Sequence, residues 1–311
     1  MSVAYDDMMP GDVILNVREG TAIHSAIYVG KLLYESDSMH TIAHCDPPVL
    51  SFGHPSELTE GSADAVIYRC SDTDLSTKAV VYAKEWARWA LDARESVPPG
   101  TTMYPSGAGA RHHGVIRDRP IPFQFDALYR AVKWAARLST LHEDMPEQAQ
   151  LSKNRGTTCC AYVIACYQAA AFNNYAKGVG AKLRIAETCL KAARGPKHPD
   201  RLAIVESPTG SLDDETGEVK RGPYNRANIG MTNAGFRGQG ETKRTFEQYM
   251  VATLEALRPL RTCRIDLSPA DLMTDAMALD AKFTYSDVLH TALETSKDWA
   301  KLGKMEVVEF D

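Results

Sequence analysis

From Cys160 to Phe172 the chain reads Cys-Ala-Tyr-Val-Ile-Ala-Cys-Tyr-Gln-Ala-Ala-Ala-Phe, apolar on almost every side of a helix. A helix with one apolar stripe lies on a surface, whereas one that is apolar all round must be enclosed. Whatever else this chain forms, it has to supply walls for that helix. No apolar run approaches the ~18 residues a membrane-spanning helix requires, so the enclosure is expected to be protein. With 311 residues, 44% apolar and 24% charged, the chain has material for a sizeable core.

The N-terminal segment supplies candidate walls. Pro10-Gly11 marks a turn, Asp12 to Val17 reads as a strand, and Arg18 to Gly20 turns into a second strand from Ile23 to Val29. Gly30-Lys31 has the composition of a two-residue hairpin loop, which would pair Val29 with Leu32 and make Leu32 to Ser36 the third strand. After a loop rich in Asp, His, Pro and Ser, Ala65 to Arg69 predicts another strand. From Ser76 the period becomes helical and ends before Pro98-Pro99-Gly100. Residues 96–122 and 207–242 read as long loops or insertions. Helices are expected at about Asp126 to Leu141, Lys182 to Ala193, Thr245 to Leu257 and Thr284 to Leu302. The whole predicts one α+β domain over residues 1–311, with an antiparallel sheet packed on the central helix.

The start of that helix carries chemistry. Thr157 and Thr158 are capping residues, and Cys159 and Cys160 follow at the helix N-terminus. Free amides and partial positive charge there lower a cysteine's pKa and offer a place for an oxyanion. Cys160 has Val163 and Ile164 at i+3 and i+4, so it begins the inward stripe and is the first candidate nucleophile; Cys159 is the second. A thiol needs a base. Strand alternation puts His24 with Ala26 and Tyr28 on one face, and the expected hairpin register sets Ala26 against Glu35 and His24 against Asp37. Glu35 would then lie diagonal to His24 and could hold its imidazole in the proton-accepting tautomer, with Asp37 as the alternative. His40, His44 and Cys45 lack a clear fourth ligand, so no metal is expected; His112 and His113 read as loop residues, and no cofactor is called for.

Pro10-Gly11-Asp12-Val13-Ile14, His24-Ser25-Ala26-Ile27-Tyr28-Val29-Gly30, Leu33-Tyr34-Glu35 and a cysteine opening a later helix together resemble the circularly permuted papain-like proteins. That group is the permuted branch of NlpC-type cell-wall peptidases, together with the lecithin:retinol acyltransferase-like enzymes. The resemblance spans about residues 9–36 and 156–170. It implies a papain-like permuted frame with Cys160 as nucleophile, His24 as base and Glu35 as the orienting polar residue. The acyltransferase branch usually has Asn before its cysteine and a second histidine as third member. Here those places hold Cys159 and Glu35, which points toward the bacterial hydrolase-like members.

The function expected is therefore a cysteine hydrolase cleaving a peptide, isopeptide or cell-wall amide. Alternatives are an acyl-lipid hydrolase or acyltransferase, a secreted bacterial effector acting on a host or rival protein, and a non-catalytic papain-like binding domain. A net charge of −5 spread along the chain gives no nucleic-acid surface. Seven cysteines at irregular spacing fit reduced thiols. Residues 1–10 lack a signal-peptide pattern, so the cytoplasm is the default compartment. A protein exported without a cleaved leader would show the same features.

Overall fold

The computed structural model describes residues 1–34, 37–46, 49–59, 63–96, 158–178, 273–281 and 284–306, together with 128–129, 211–212, 219–220, 253 and 257. Strands β1 (Ser2–Val3), β2 (Val13–Arg18), β3 (Thr21–Tyr34), β4 (Asp37–Asp46), β5 (Val49–Gly53) and β6 (Asp64–Cys70) are followed by helices α1 (Thr73–Ser96) and α2 (Cys159–Gly178). The short strands β7 (Ser211–Leu212) and β8 (Val219–Lys220) pair only with each other; helix α3 (Ser286–Thr295) and strand β9 (Trp299–Met305) complete the order. Among the described residues the architecture is mixed α+β, a curled seven-stranded sheet in the order β1-β9-β6-β2-β3-β4-β5 with three α-helices. All neighbours are antiparallel except β1 with β9.

Helix α2 is enclosed as its composition demands. It packs on α1, β3, β4 and α3, and Val163, Ile164, Ala169 and Phe172 are fully buried. Each large apolar side chain so buried contributes about 1.5–3 kcal/mol. Gln168, the polar exception in the run, donates to the carbonyls of Met277 and Leu279 at 2.8 and 2.6 Å, which makes its burial tolerable. Thr158 caps the helix, its hydroxyl accepting the Ala161 amide at 3.3 Å, so Cys159 occupies the first helical position. On the opposite side of the sheet Val3, Met8, Ile14, Ala26, Tyr28, Ile42, Leu58, Ala65 and Ile67 form a second apolar cluster. The sheet is thus covered on both faces.

Two expectations about the strands are corrected. No hairpin forms at Gly30-Lys31: β3 continues to Tyr34, and Tyr34 pairs with Asp37. Gly30 instead sits beside a bulge, with φ +93, where Tyr28 pairs with Ile42 and Gly30 with Thr41. The stretch read as a polar loop is β4 and β5. In the same way, helix α3 ends at Thr295 rather than near Leu302, and the chain then enters β9. The predicted helix at 182–193 and, past Ser96, the loop at 96–122 lie outside the described residues, as do most of the predicted helices at 126–141 and 245–257 and most of the excursion at 207–242.

Pro10-Gly11-Asp12 has a structural basis. Gly11 adopts φ +100, and a Cβ there would lie 2.6 Å from the Cβ of Ser76 on α1. Its carbonyl accepts the Tyr167 hydroxyl of α2, while its amide donates to Tyr28 at 2.7 Å. Asp12 is buried and takes Arg69 on both carboxylate oxygens, at 2.8 and 2.7 Å. This turn therefore ties β2, β3, β6, α1 and α2 together.

Candidate active site

One residue of β3 is extra just before His24: Asn16 pairs with His24 but Val17 pairs with Ala22. Bulges re-aim side chains, and here the unmatched residue is the exposed Ile23. From this position His24 hydrogen-bonds the sulfur of Cys159, and its Nε2 lies 3.0 Å from Nδ1 of His44 on β4. Because Ala26 pairs with His44, the two imidazoles are diagonal neighbours across the ladder, with ring centroids 5.2 Å apart and planes at 82°. His44 Nε2 in turn lies 3.6 Å from Glu57 Oε2. Glu57 is anchored by the His54 amide at 2.8 Å and crosses close over Gly53, where a Cβ would sit 2.4 Å from its carboxylate.

A second group of hydroxyls completes the surroundings of the sulfur. Ser286, the first residue of α3, has its Oγ 3.6 Å from Cys159 Sγ and 3.5 Å from the hydroxyl of Ser25 on β3. Both serines are buried. Burial alone pushes the Cys159 thiol up, but the hydrogen bond to His24 and its charge, then the bonds to Ser286 and Ser25, outweigh it and lower it to about 7. His44 is lowered to about 4, first by burial and then by the charge of His24. It is neutral at neutral pH, and the network is consistent with His24 Nε2–H donating to His44 Nδ1 and His44 Nε2–H facing Glu57.

The sequence-derived site is rearranged by this geometry. Cys160, expected to face His24, is 1% exposed and packs in the core. Burial, with the charges of Cys159 and Asp287 added, holds its thiol well above the ordinary value. The apolar stripe that singled it out marks the side of the helix facing the core. The first helical position, Cys159, is the one at the open end. Glu35 lies outside the described residues; the hairpin register that set it beside His24 does not occur, because Ala26 pairs with His44 and Tyr34 with Asp37. Asp37 is opposite Tyr34, about 30 Å along β3 from His24 at ~3.3 Å per residue.

The residue that sequence reasoning missed as a partner is His44. It had been visible only within His40, His44 and Cys45, a trio the fold separates. His40 bonds the Tyr28 hydroxyl at 2.7 Å, His44 turns to His24, and Cys45 enters the core on the helix side. Among the described residues no group of His, Cys, Asp and Glu has metal-holding geometry. No described helix is long and apolar enough to cross a membrane. The chain matches no protein-family model, no curated protein and no solved structure.

Proposed function

We propose that this protein is a cysteine-dependent hydrolase in which Cys159 is the nucleophile, His24 the general base and His44 the residue that orients it, acting on an amide carbonyl of peptide type. The observation that carries this reading is a thiol lowered to about 7 at a capped helix start, touching an imidazole whose other nitrogen is tied to a second imidazole. The reading also sets the chain in a circularly permuted papain-like frame, with the histidine strand preceding the cysteine helix.

The chemistry follows from the contacts. His24 Nε2 is engaged by His44, which leaves Nδ1 to take the proton from Cys159. The thiolate forms a bond to the carbonyl carbon, and the charge that develops on oxygen meets the N-terminal end of α2. The C–N bond breaks as His24 returns the proton to the leaving nitrogen. Water, deprotonated by His24, then attacks the thioester and releases the acid, restoring the thiol.

A second reading, an acyl-ester hydrolase or acyltransferase, is favoured by one observation. With His44 next to His24, the third member is a histidine, as in the acyltransferase branch of the group that the sequence resembles. Short amide and acyl-ester substrates assayed side by side separate the two.

Iodoacetamide labelling at pH 7 with peptide mapping tests the site itself. Cys159 is expected to react well ahead of Cys160 and Cys166, with a reactivity midpoint near 7. His24→Ala should move that midpoint up toward the ordinary 9. Preferential labelling of Cys160 would overturn the reading in favour of Cys160 as nucleophile, and a Cys159 profile indifferent to His24→Ala would overturn it in favour of a binding domain.

A further inference from the structure

Three chain-distant segments meet at the Cys159 sulfur: β3 with His24 and Ser25, the start of α2, and the start of α3 with Ser286. Papain-type logic accounts for the histidine and the helix. It leaves the two serines without a task. They are nevertheless placed where a structural role is a poor explanation: a hydroxyl in an apolar core needs a partner, and among the described residues these two have each other, at 3.5 Å, and the sulfur. An alanine in either place would meet no such need.

We propose that Ser286 is a positioning residue that holds Cys159 in its ionised form, with Ser25 as the hydroxyl that orients it. This rests on Cys159 being the nucleophile. Neutral sulfur is a poor acceptor, while a thiolate is a good one, so a hydroxyl proton aimed at it favours the charged form. Ser286 is also the first residue of α3, whose preceding Tyr285 makes no side-chain cap, so a second helix N-terminus adds its positive end to that of α2. The two hydroxyls bring two protons to a triangle of two oxygens and one sulfur. When the sulfur is charged, the Ser286 hydroxyl, which otherwise donates to Ser25 at 3.5 Å, can turn its proton to the sulfur, and Ser25 can donate to the sulfur directly. Once the sulfur carries an acyl group it stops accepting, and the Ser286 hydroxyl turns back to Ser25 as its acceptor. The other titratable groups around the sulfur are His24 on β3, with His44 behind it on β4, Cys160 on α2, and Asp287 on α3, which acts on Cys160.

The test is the pH profile of Cys159, read as thiolate absorbance and as alkylation rate, in the full chain with folding checked by circular dichroism. Ser286→Ala is expected to raise the midpoint by about half to one pH unit, with the alkylation rate at pH 7 falling several-fold. Ser286→Thr keeps the hydroxyl and should return the midpoint to within a few tenths of the parent's. An unchanged midpoint in Ser286→Ala overturns the proposal, and so does a Ser286→Thr shift as large as that of alanine, since packing would then be the cause. Should Ser286→Ala fail to fold, Ser25→Ala decides instead: a rise supports the paired hydroxyls and no change overturns them. A wild-type midpoint near 9 would overturn the assignment of Cys159 itself, a result distinct from any serine effect.

Discussion

Two adjacent thiols, Cys159 and Cys160, differ in one respect that sends their acidities in opposite directions. Both are buried enough for desolvation to favour the neutral form, but only Cys159 has an imidazole and hydroxyls to favour the charged one. The sequence could locate the pair at a capped helix start, because Thr157 and Thr158 signal the cap. It could not choose between them, because the choice depends on which side of the first turn faces β3, and the apolar stripe pointed to the core. His44 carries a separate consequence. Its pKa in the fold lies below its ordinary 6.5, so the folded state binds fewer protons than the unfolded state in that range. The stability it preserves is complete above 6.5 and is lost as pH falls toward 4, by at most about 3 kcal/mol. Urea midpoints at pH 7 and pH 4.5 should show that loss in the parent protein, and His44→Gln should reduce it; an equal slope in both would remove His44 from the account.

At the scale of elements, β2, β6 and α1 were legible within a few residues, and so was the burial of α2, because β2 and β6 are short apolar, β-branched runs, α1 has a helical period and α2 is apolar all round. The strands β4 and β5 were not. In β4, Thr41, Ile42, Ala43, His44 and Cys45 are all buried, since helices cover one face of the sheet and the second apolar cluster covers the other. A strand enclosed on both sides loses the alternation that would reveal it, and its histidines and serines then read as loop. Gly30 misled for a related reason: a positive φ is needed both at a hairpin loop and at a bulge. Gly11 is the position where the need is strictest. Gly11→Ala combines a left-handed backbone with a contact to Ser76, and it should lower stability by about 2–3 kcal/mol in denaturant unfolding. Ala tolerated there without loss would mean the turn between β2 and α1 is looser than its geometry.

At the scale of the whole molecule, the sheet is closed by its last segment. β9 enters between β1 and β6, antiparallel to β6 and parallel to β1, with Trp299 donating to the Thr274 hydroxyl at 2.9 Å and its ring against Tyr167. No local pattern announces such a placement, because a strand's partners are a property of the finished sheet. The junction with β1 is tight: a Cβ on Gly303 would lie 2.2 Å from the Met1 carbonyl oxygen, beside the bond from the Lys304 amide to that same oxygen. Gly303→Val should therefore strip β1 from the sheet, seen as faster hydrogen exchange at the Lys304 amide with the β2–β3 amides unchanged. Exchange that accelerates throughout would instead show β9 itself to be displaced.

The meeting of residues 24, 25, 159 and 286 at one sulfur has a practical meaning for anyone handling this protein. The acidity of a single atom depends on the sheet, the central helix and the C-terminal helix all being in place. A molecule with α3 detached would carry a less acidic thiol at that position, and one with β3 out of register, and so without His24 beside the sulfur, an ordinary one. The rate at which Cys159 takes up a small alkylating reagent at neutral pH is thus a native gauge of tertiary assembly, readable without a label or a known substrate.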